Sequence, residues 1–135
     1  MEIIKASEIK QHYDTYIDLA AYYAMIDDIE LSTINFNKAE TLAHIIGIQF
    51  DTVVEDLQAR TKAKINNNKH YQKLLTKIST VIKLKNHALA NSKIEKTLEE
   101  IEQDYRAMLI DTGCDIGYTP DRVNEDILKK IAKDR

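Results

Sequence analysis

Apolar side chains recur at intervals of three or four residues along most of the chain. This spacing places them on one face of an α-helix, whereas a half-buried strand would alternate apolar and polar residues. Only three glycines and one proline interrupt the 135 residues, so the frequent turns of a sheet protein are missing. We therefore predict an all-α protein. The longest apolar face consists of Tyr71, Leu74, Leu75, Ile78, Val81, Ile82 and Leu89.

Residues that cap helices predict where the individual helices begin and end. Asn37 followed by Glu40 has the spacing of a capping box, and Asp51 is placed to begin the next helix. The run of asparagines at residues 66–68 predicts a break, because asparagine is a poor helix former. We expect about six helices in a single compact domain over residues 1–135, without an internal repeat. Further starts or stops are expected at Ser7, Ser92, Gly113 and Pro120.

The segment at residues 37–65, which begins NKAETLAHIIGIQF, predicts a hairpin of two helices. Ala43 supplies a small residue in the first helix, and Gly47 allows the left-handed backbone that a tight turn needs. Ile48 and Val53 are placed to lock the two helices together. In this pattern the segment resembles the helix-turn-helix of small DNA-binding regulators. The resemblance implies a second helix that reads DNA.

The surface of that second helix argues against DNA reading. Its first turns offer Gln49 and Thr52 for contacts with bases, but they also present Asp51, Glu55 and Asp56. Carboxylates are repelled by phosphates, and affinity for DNA depends largely on neutralising those phosphates. A hairpin that only packs is therefore the first interpretation, and base contacts through Gln49 and Thr52 are the alternative.

Charge is distributed unevenly along the chain. Residues 1–60 carry 4 Lys and Arg against 11 Asp and Glu, residues 61–97 carry 9 against 1, and residues 98–135 carry 6 against 10. The net charges of −7, +8 and −4 give the −3 of the whole chain. In the basic middle, steps of three and four residues place one polar stripe opposite the apolar face. We name this set the basic stripe, and it consists of Lys62, Asn66, Lys69, Lys73, Thr76, Thr80, Lys83 and His87.

The basic stripe has three interpretations. Its lysines pair with the acidic flanks of the same chain or are simply solvated, which is common on long amphipathic helices. Alternatively, they neutralise the phosphates of a nucleic acid, or they contact an acidic protein. The candidate binding residues of this stripe are Lys62, Lys69, Lys73 and Lys83.

The sequence contains no pattern that indicates catalysis or metal binding. The four histidines lie far apart, and none has a second histidine or a cysteine at the spacing of a zinc site. The only cysteine, Cys114, has no histidine near it in the sequence and cannot form an intramolecular disulfide. We therefore predict no enzyme activity, no catalytic residue, no cofactor and no metal.

Segregated charge without a catalytic motif is typical of proteins that associate with charged partners. We therefore expect a non-enzymatic regulator, adaptor or inhibitor, of phage or mobile-element type, that binds a protein. Tyr22 and Asp18 are candidate interface residues, because aromatic residues are enriched at interfaces. The alternative is a helix-turn-helix DNA-binding regulator that uses residues 37–65 together with the basic stripe at residues 62–87.

The sequence also indicates where the protein works. No apolar run approaches the ~18 residues that a membrane span needs, and the first residues lack a signal-like apolar stretch. The lone cysteine suits a reducing compartment. We expect a cytoplasmic protein that does not bind membranes. The long amphipathic helices also favour a homodimer.

Overall fold

A computed structural model describes residues 5–133, and all regular structure in this range is helical. The all-α class is confirmed, but the described residues form five helices rather than about six. The largest differences from the expected boundaries lie in the second and third helices. The helices are α1 (Ala6–Met25), α2 (Ile29–Ile46), α3 (Phe50–His87), α4 (Lys93–Ile116) and α5 (Pro120–Lys133).

The predicted break at residues 66–68 is wrong, because α3 continues through all three asparagines as one helix of 38 residues. Each asparagine costs only about 0.5 kcal/mol relative to the better helix formers. Burial of the apolar residues that follow, beginning with Tyr71 and Leu74, outweighs that cost. Tertiary packing therefore decides the length of α3.

The predicted start of the second helix at Asn37 is also wrong. The helix α2 begins at Ile29, where the Asp28 carboxylate accepts a hydrogen bond from the Leu31 amide at 3.1 Å. Two polar residues, Ser32 and Asn35, lie on the buried face and hide the helical pattern of the first two turns. Their side chains donate to backbone carbonyl oxygens at 2.8 Å, which removes the penalty of burying them.

The later helix boundaries agree better with the expected caps. The Ser92 hydroxyl accepts a hydrogen bond from the Glu95 amide at 3.1 Å, and α5 begins at Pro120 as predicted. Gly113, in contrast, lies inside α4, and Gly117 ends that helix with a left-handed φ of 116°. Ser7 lies within the first turn of α1 and does not cap it.

Contacts divide the chain into two units, with the boundary between Ile65 and Asn66 inside α3. The first unit contains α1, α2 and the first part of α3. The second unit contains the rest of α3 with α4 and α5. The single domain expected for residues 1–135 stays a prediction.

Each unit buries its own apolar residues. The core of the first unit combines residues from all three of its helices, namely Tyr13, Ile17, Ala39, Ala43 and Val53. The second unit likewise buries residues of α3, α4 and α5. Its buried apolar residues are Tyr71, Leu74, Leu75, Ile78, Val81, Leu109, Ile116, Val123 and Ile127.

The two units share one arrangement of key residues. Residues 46–57 align with residues 116–127 at an offset of 70 in numbering, and six of the twelve positions are identical. The identical residues are Ile46 and Ile116, Gly47 and Gly117, Asp51 and Asp121, Val53 and Val123, Glu55 and Glu125, and Asp56 and Asp126. In both segments a helix ends at a glycine with positive φ, and the next helix begins three residues later.

The likeness extends to the first helix of each unit at a different offset. The pair His12 and Tyr13 recurs as His70 and Tyr71, which is an offset of 58. At the same offset the buried Ile17, Ala20 and Ala21 correspond to the buried Leu75, Ile78 and Ser79. The second unit is therefore 12 residues longer between these aligned segments. Its connection has five residues (88–92) instead of three (26–28), and the adjoining ends of α3 and α4 supply the other ten. This change of offset hides the internal repeat from a comparison at one fixed spacing.

Candidate functional site

Each unit contains a tyrosine that joins its first helix to its last. The Tyr13 hydroxyl donates to the Asp56 carboxylate at 2.7 Å, and the Tyr71 hydroxyl donates to Asp126 at 2.8 Å. Burial, followed by the neighbouring carboxylate, raises the pKa of both tyrosines well above the ordinary range. Both tyrosine side chains are fully buried, so each pair holds the first and last helices of its unit together.

In the first unit, carboxylates of α1 pair with cations of α3. Arg60 contacts Asp14 at 2.9 Å, and Lys64 contacts Asp18 at 3.1 Å. The Lys64 side chain is only 5% exposed, whereas Asp18 is half exposed and also lies 3.9 Å from Arg60. Asp18, a candidate interface residue, therefore neutralises a buried lysine of its own unit.

Tyr22, the other candidate interface residue, is half-buried on α1. Its ring packs edge-on against Tyr23, with 5.3 Å between the ring centroids. Tyr22 and Asp18 lie about one turn apart on α1. Their role in an interface stays a prediction.

The hairpin of α2 and α3 has the packing that its sequence predicts. Ala43 and Val53 are fully buried, and Gly47 adopts a left-handed φ of 83°. The Ile48 amide donates to the Ala43 carbonyl at 2.8 Å, which satisfies the end of α2. The α4–α5 connection repeats this geometry with Gly117. The hairpin is thus a packing device that the chain uses twice.

The residues proposed to read DNA lie at the surface beside carboxylates. Gln49 and Thr52 are exposed at the start of α3, and so are Asp51 and Glu55. Asp56 is half-buried and accepts the hydrogen bond of Tyr13. The negative charge that the sequence predicts around Gln49 and Thr52 is therefore present at the surface.

All eight residues of the basic stripe are exposed along α3. Among the described residues, none forms an ion pair with Lys62, Lys69 or Lys73. The lysines that do pair with acidic helices are others, Lys64 with Asp18 and Lys85 with Glu102 at 2.8 Å. Lys62, Lys69 and Lys73 of the stripe are therefore accessible at the surface.

A site that sequence reasoning missed lies where α3 meets α4. Leu84, Leu89 and Ile94 are 55%, 81% and 68% exposed, although the periodic pattern assigns Leu89 to the buried face. They border an apolar groove of about 500 Å³. We name residues 84–98 the α3–α4 corner, and the groove is lined by Leu84, His87, Ala88, Leu89, Ser92, Ile94 and Leu98.

Residues 83–98, which include the α3–α4 corner, carry more lysines than carboxylates, although Lys85 pairs with Glu102. Lys93 joins Ile94 and Leu98 around a second apolar hollow of about 250 Å³ on α4. From residue 83 to residue 98 the chain carries one carboxylate against four lysines, namely Glu95 against Lys83, Lys85, Lys93 and Lys96. An apolar groove with a lysine in the neighbouring hollow can accept an apolar side chain of a negatively charged partner.

Within residues 5–133, no three His, Cys, Asp or Glu side chains come together in a way that could hold a metal ion. Cys114, the only cysteine, is exposed on α4. None of the helices in the described range is both long enough and apolar enough to cross a membrane.

Comparison with protein-family models, with curated proteins and with solved structures gives no match for this chain. The candidate function therefore depends on the geometry and charge of the surfaces described above.

Proposed function

We propose that this protein is a non-enzymatic regulator, adaptor or inhibitor that binds another protein through the α3–α4 corner. The observation that carries the proposal is the apolar groove between Leu84, Leu89 and Ile94. Proteins rarely leave a contiguous apolar patch exposed unless it serves an interaction. The lysines around the groove add an attraction for negative charge.

The partner that fits this surface is an amphipathic helix with an acidic rim. Such helices bind by placing two or three apolar side chains in a groove of the receptor. The groove of about 500 Å³ has the volume for these anchors. Lysines at the edge would contact the acidic rim and speed association at low salt.

The test is affinity purification from the native host with three tagged proteins, the wild type, Leu89→Glu and Ile29→Glu. Leu89 and Ile29 are 81% and 76% exposed, so neither substitution disturbs the core. Ile29 lies at the connection between α1 and α2, which is the equivalent connection in the first unit. We expect a partner that the wild type and Ile29→Glu recover in equal amounts and Leu89→Glu loses. A partner recovered equally by all three proteins would contradict the proposal.

The alternative partner for the groove is a second copy of this chain. Light scattering distinguishes it, because a homodimer would scatter with twice the 15.5 kDa mass of one chain. If Leu89→Glu alone returns a dimer to the monomer mass, the corner binds a copy of itself and the expected homodimer forms there.

Binding of nucleic acid is a second candidate function, favoured by the exposure of the whole basic stripe. The measurement is a gel shift with genomic fragments at low and at physiological salt. If the stripe binds phosphates, replacing Lys62, Lys69 and Lys73 with glutamine should lower the salt dependence by about one unit of slope per contact. Gln49→Ala and Thr52→Ala should change sequence preference only if the start of α3 reads bases. No retention at low salt would remove this candidate.

A further inference from the structure

The outer face of α1 carries apolar residues that the first unit does not fully bury. Leu19 and Ile26 are 38% and 46% exposed, and Tyr22 between them is half-buried. Their spacing of three and four residues places all three on one side of the helix. We name these three residues the α1 stripe. It contains one of the two candidate interface residues, Tyr22, and the other, Asp18, lies beside it.

The internal repeat shows that the fold does not require apolar residues at these positions. At the offset of 58, Leu19 corresponds to Lys77 and Tyr22 corresponds to Thr80, and both residues of the second unit are exposed. The same helix face is thus polar in one unit and apolar in the other. Single apolar residues at a surface are common, but an apolar stripe at positions where the repeat has polar residues indicates an interaction.

The connection that follows the α1 stripe is acidic. Asp27 has a left-handed φ of 62°, and Asp28 caps α2 by accepting the Leu31 amide at 3.1 Å. In the second unit Asn91 has the same φ of 62°, and Ser92 caps α4. Uncharged residues therefore meet both structural requirements of this connection. The fold does not require the negative charge of Asp27 and Asp28.

The negative charge of this connection is not neutralised by ion pairs within the unit. Residues 11–37 contain five carboxylates and no Lys or Arg, and the first two of the five pair with α3. Among the described residues, none forms an ion pair with Asp27, Asp28 or Glu30. Lys62 of α3 borders a hollow at the last turn of α1, which sets one cation against three carboxylates.

We propose that the α1 stripe and the acidic connection together bind a basic amphipathic helix of another protein. The stripe receives two apolar side chains of that helix, spaced one turn apart. Asp27, Asp28 and Glu30 contact lysines or arginines at its rim. This surface belongs to the first unit and does not depend on the α3–α4 corner. Surfaces of opposite charge select different partners, which is what an adaptor between two proteins requires.

The test is a titration of the full chain with synthetic helical peptides of equal length, measured by fluorescence anisotropy at low and physiological salt. One peptide carries leucines on one face and lysines beside them, and a second replaces its lysines with glutamates. We expect saturable binding of the lysine peptide that weakens as salt rises, because salt screens exposed charges. A third peptide with scrambled leucines keeps the same charge, and it should bind at least about tenfold more weakly. The glutamate peptide should not bind this surface.

Two variants copy residues of the second unit into the first, so each introduces residues that the fold accepts at equivalent positions. Leu19→Lys with Tyr22→Thr should weaken binding of the lysine peptide by at least about tenfold, because it removes apolar anchors and adds a positive charge. Asp27→Asn with Asp28→Ser should weaken it by about threefold to tenfold, which is the effect of two exposed ion pairs. Circular dichroism checks that both variants remain helical.

The matched controls make similar changes at exposed positions of α4. Met108→Lys replaces one apolar residue with a cation, and Asp104→Asn with Asp111→Asn removes two negative charges. Both should leave the affinity for the lysine peptide unchanged, and so should Leu89→Glu at the α3–α4 corner. Absence of saturable binding by the wild type, or equal weakening by the controls, would overturn the proposal. A dimer in light scattering that only the α1-stripe variant dissociates would assign this surface to a second copy and would also overturn it.

Discussion

The two units of this chain use the same frame for different surfaces. In each unit a buried tyrosine on the first helix donates to an aspartate on the last, and a glycine with positive φ ends the second helix. The first unit closes the space between its first and last helices with the ion pairs of Asp14 and Asp18. At the corresponding positions the second unit has Gln72 and Thr76 in place of these two carboxylates. The two units therefore share these contacts between helices and differ in the charged residues beside them.

The connections between the first two helices differ in the same way. In the first unit, α1 and α2 are joined by residues 26–28, which include Asp27 and Asp28. In the second unit, the longer ends of α3 and α4, together with the connection at residues 88–92, line the apolar groove of the α3–α4 corner. The 12 extra residues of the second unit thus lie where the candidate binding surface is found.

Gly113→Ala tests how closely the α4 backbone packs against Val123 and Tyr71 in the second unit. Gly113 takes the position of Ala43, and a Cβ atom there would lie 2.8 Å from Val123 and 3.4 Å from Tyr71. An alanine usually stabilises a helix interior relative to glycine by about 0.5–1 kcal/mol. Here both neighbours are fully buried and Val123 is stiff, so we expect a loss of about 1–3 kcal/mol. Urea unfolding measures it, and a gain in stability would show that the second unit is not packed this tightly.

Tyr13→Phe and Tyr71→Phe test the shared tyrosine–aspartate pair. Among the described residues, no other side chain donates to Asp56, whereas Asp126 keeps the Arg122 guanidinium. We expect Tyr13→Phe to cost about 1–2 kcal/mol and Tyr71→Phe about 0.5–1 kcal/mol, because an unsatisfied carboxylate is the larger penalty. The measurement is again urea unfolding at neutral pH. The reverse order would mean that Arg122 does not compensate Asp126.

The raised pKa of these two tyrosines predicts that the protein loses stability at alkaline pH, by less than either substitution costs. Below the ordinary tyrosine pKa both the folded and the unfolded chains hold the proton, so the contribution to stability is complete. As pH rises through about 10, the unfolded chain loses the proton first, and the free energy of unfolding falls. We expect a loss of about 0.4 kcal/mol per tyrosine at pH 10 relative to pH 8. The double variant Tyr13→Phe, Tyr71→Phe should lack this loss, and an unchanged pH profile would contradict the assignment.

The sequence predicts the parts of this fold that depend on local periodicity. The helical class, the exposure of the basic stripe and the cap at Ser92 follow from spacing alone. The start of α2 does not, because Ser32 and Asn35 occupy buried positions with polar side chains. The continuity of α3 does not follow either, since the burial that overrides the weak propensity of residues 66–68 exists only in the folded unit.

The apolar groove of the α3–α4 corner cannot be predicted from local periodicity either. Leu89 fits the apolar face of α3 in sequence, but α3 ends at His87 and leaves Leu89 in the connection that follows. The internal repeat is not evident at one fixed spacing, because its two parts have offsets of 58 and 70.

Hydrogen–deuterium exchange of the chain, alone and in complex with the partner that Leu89→Glu fails to recover, tests the central claim most directly. Burial of a surface slows exchange of the backbone amides beneath it. The account predicts that the partner slows exchange within residues 84–98 and leaves residues 26–31 and the start of α3 unchanged. Slower exchange at residues 26–31 or 49–56, with residues 84–98 unaffected, would contradict it.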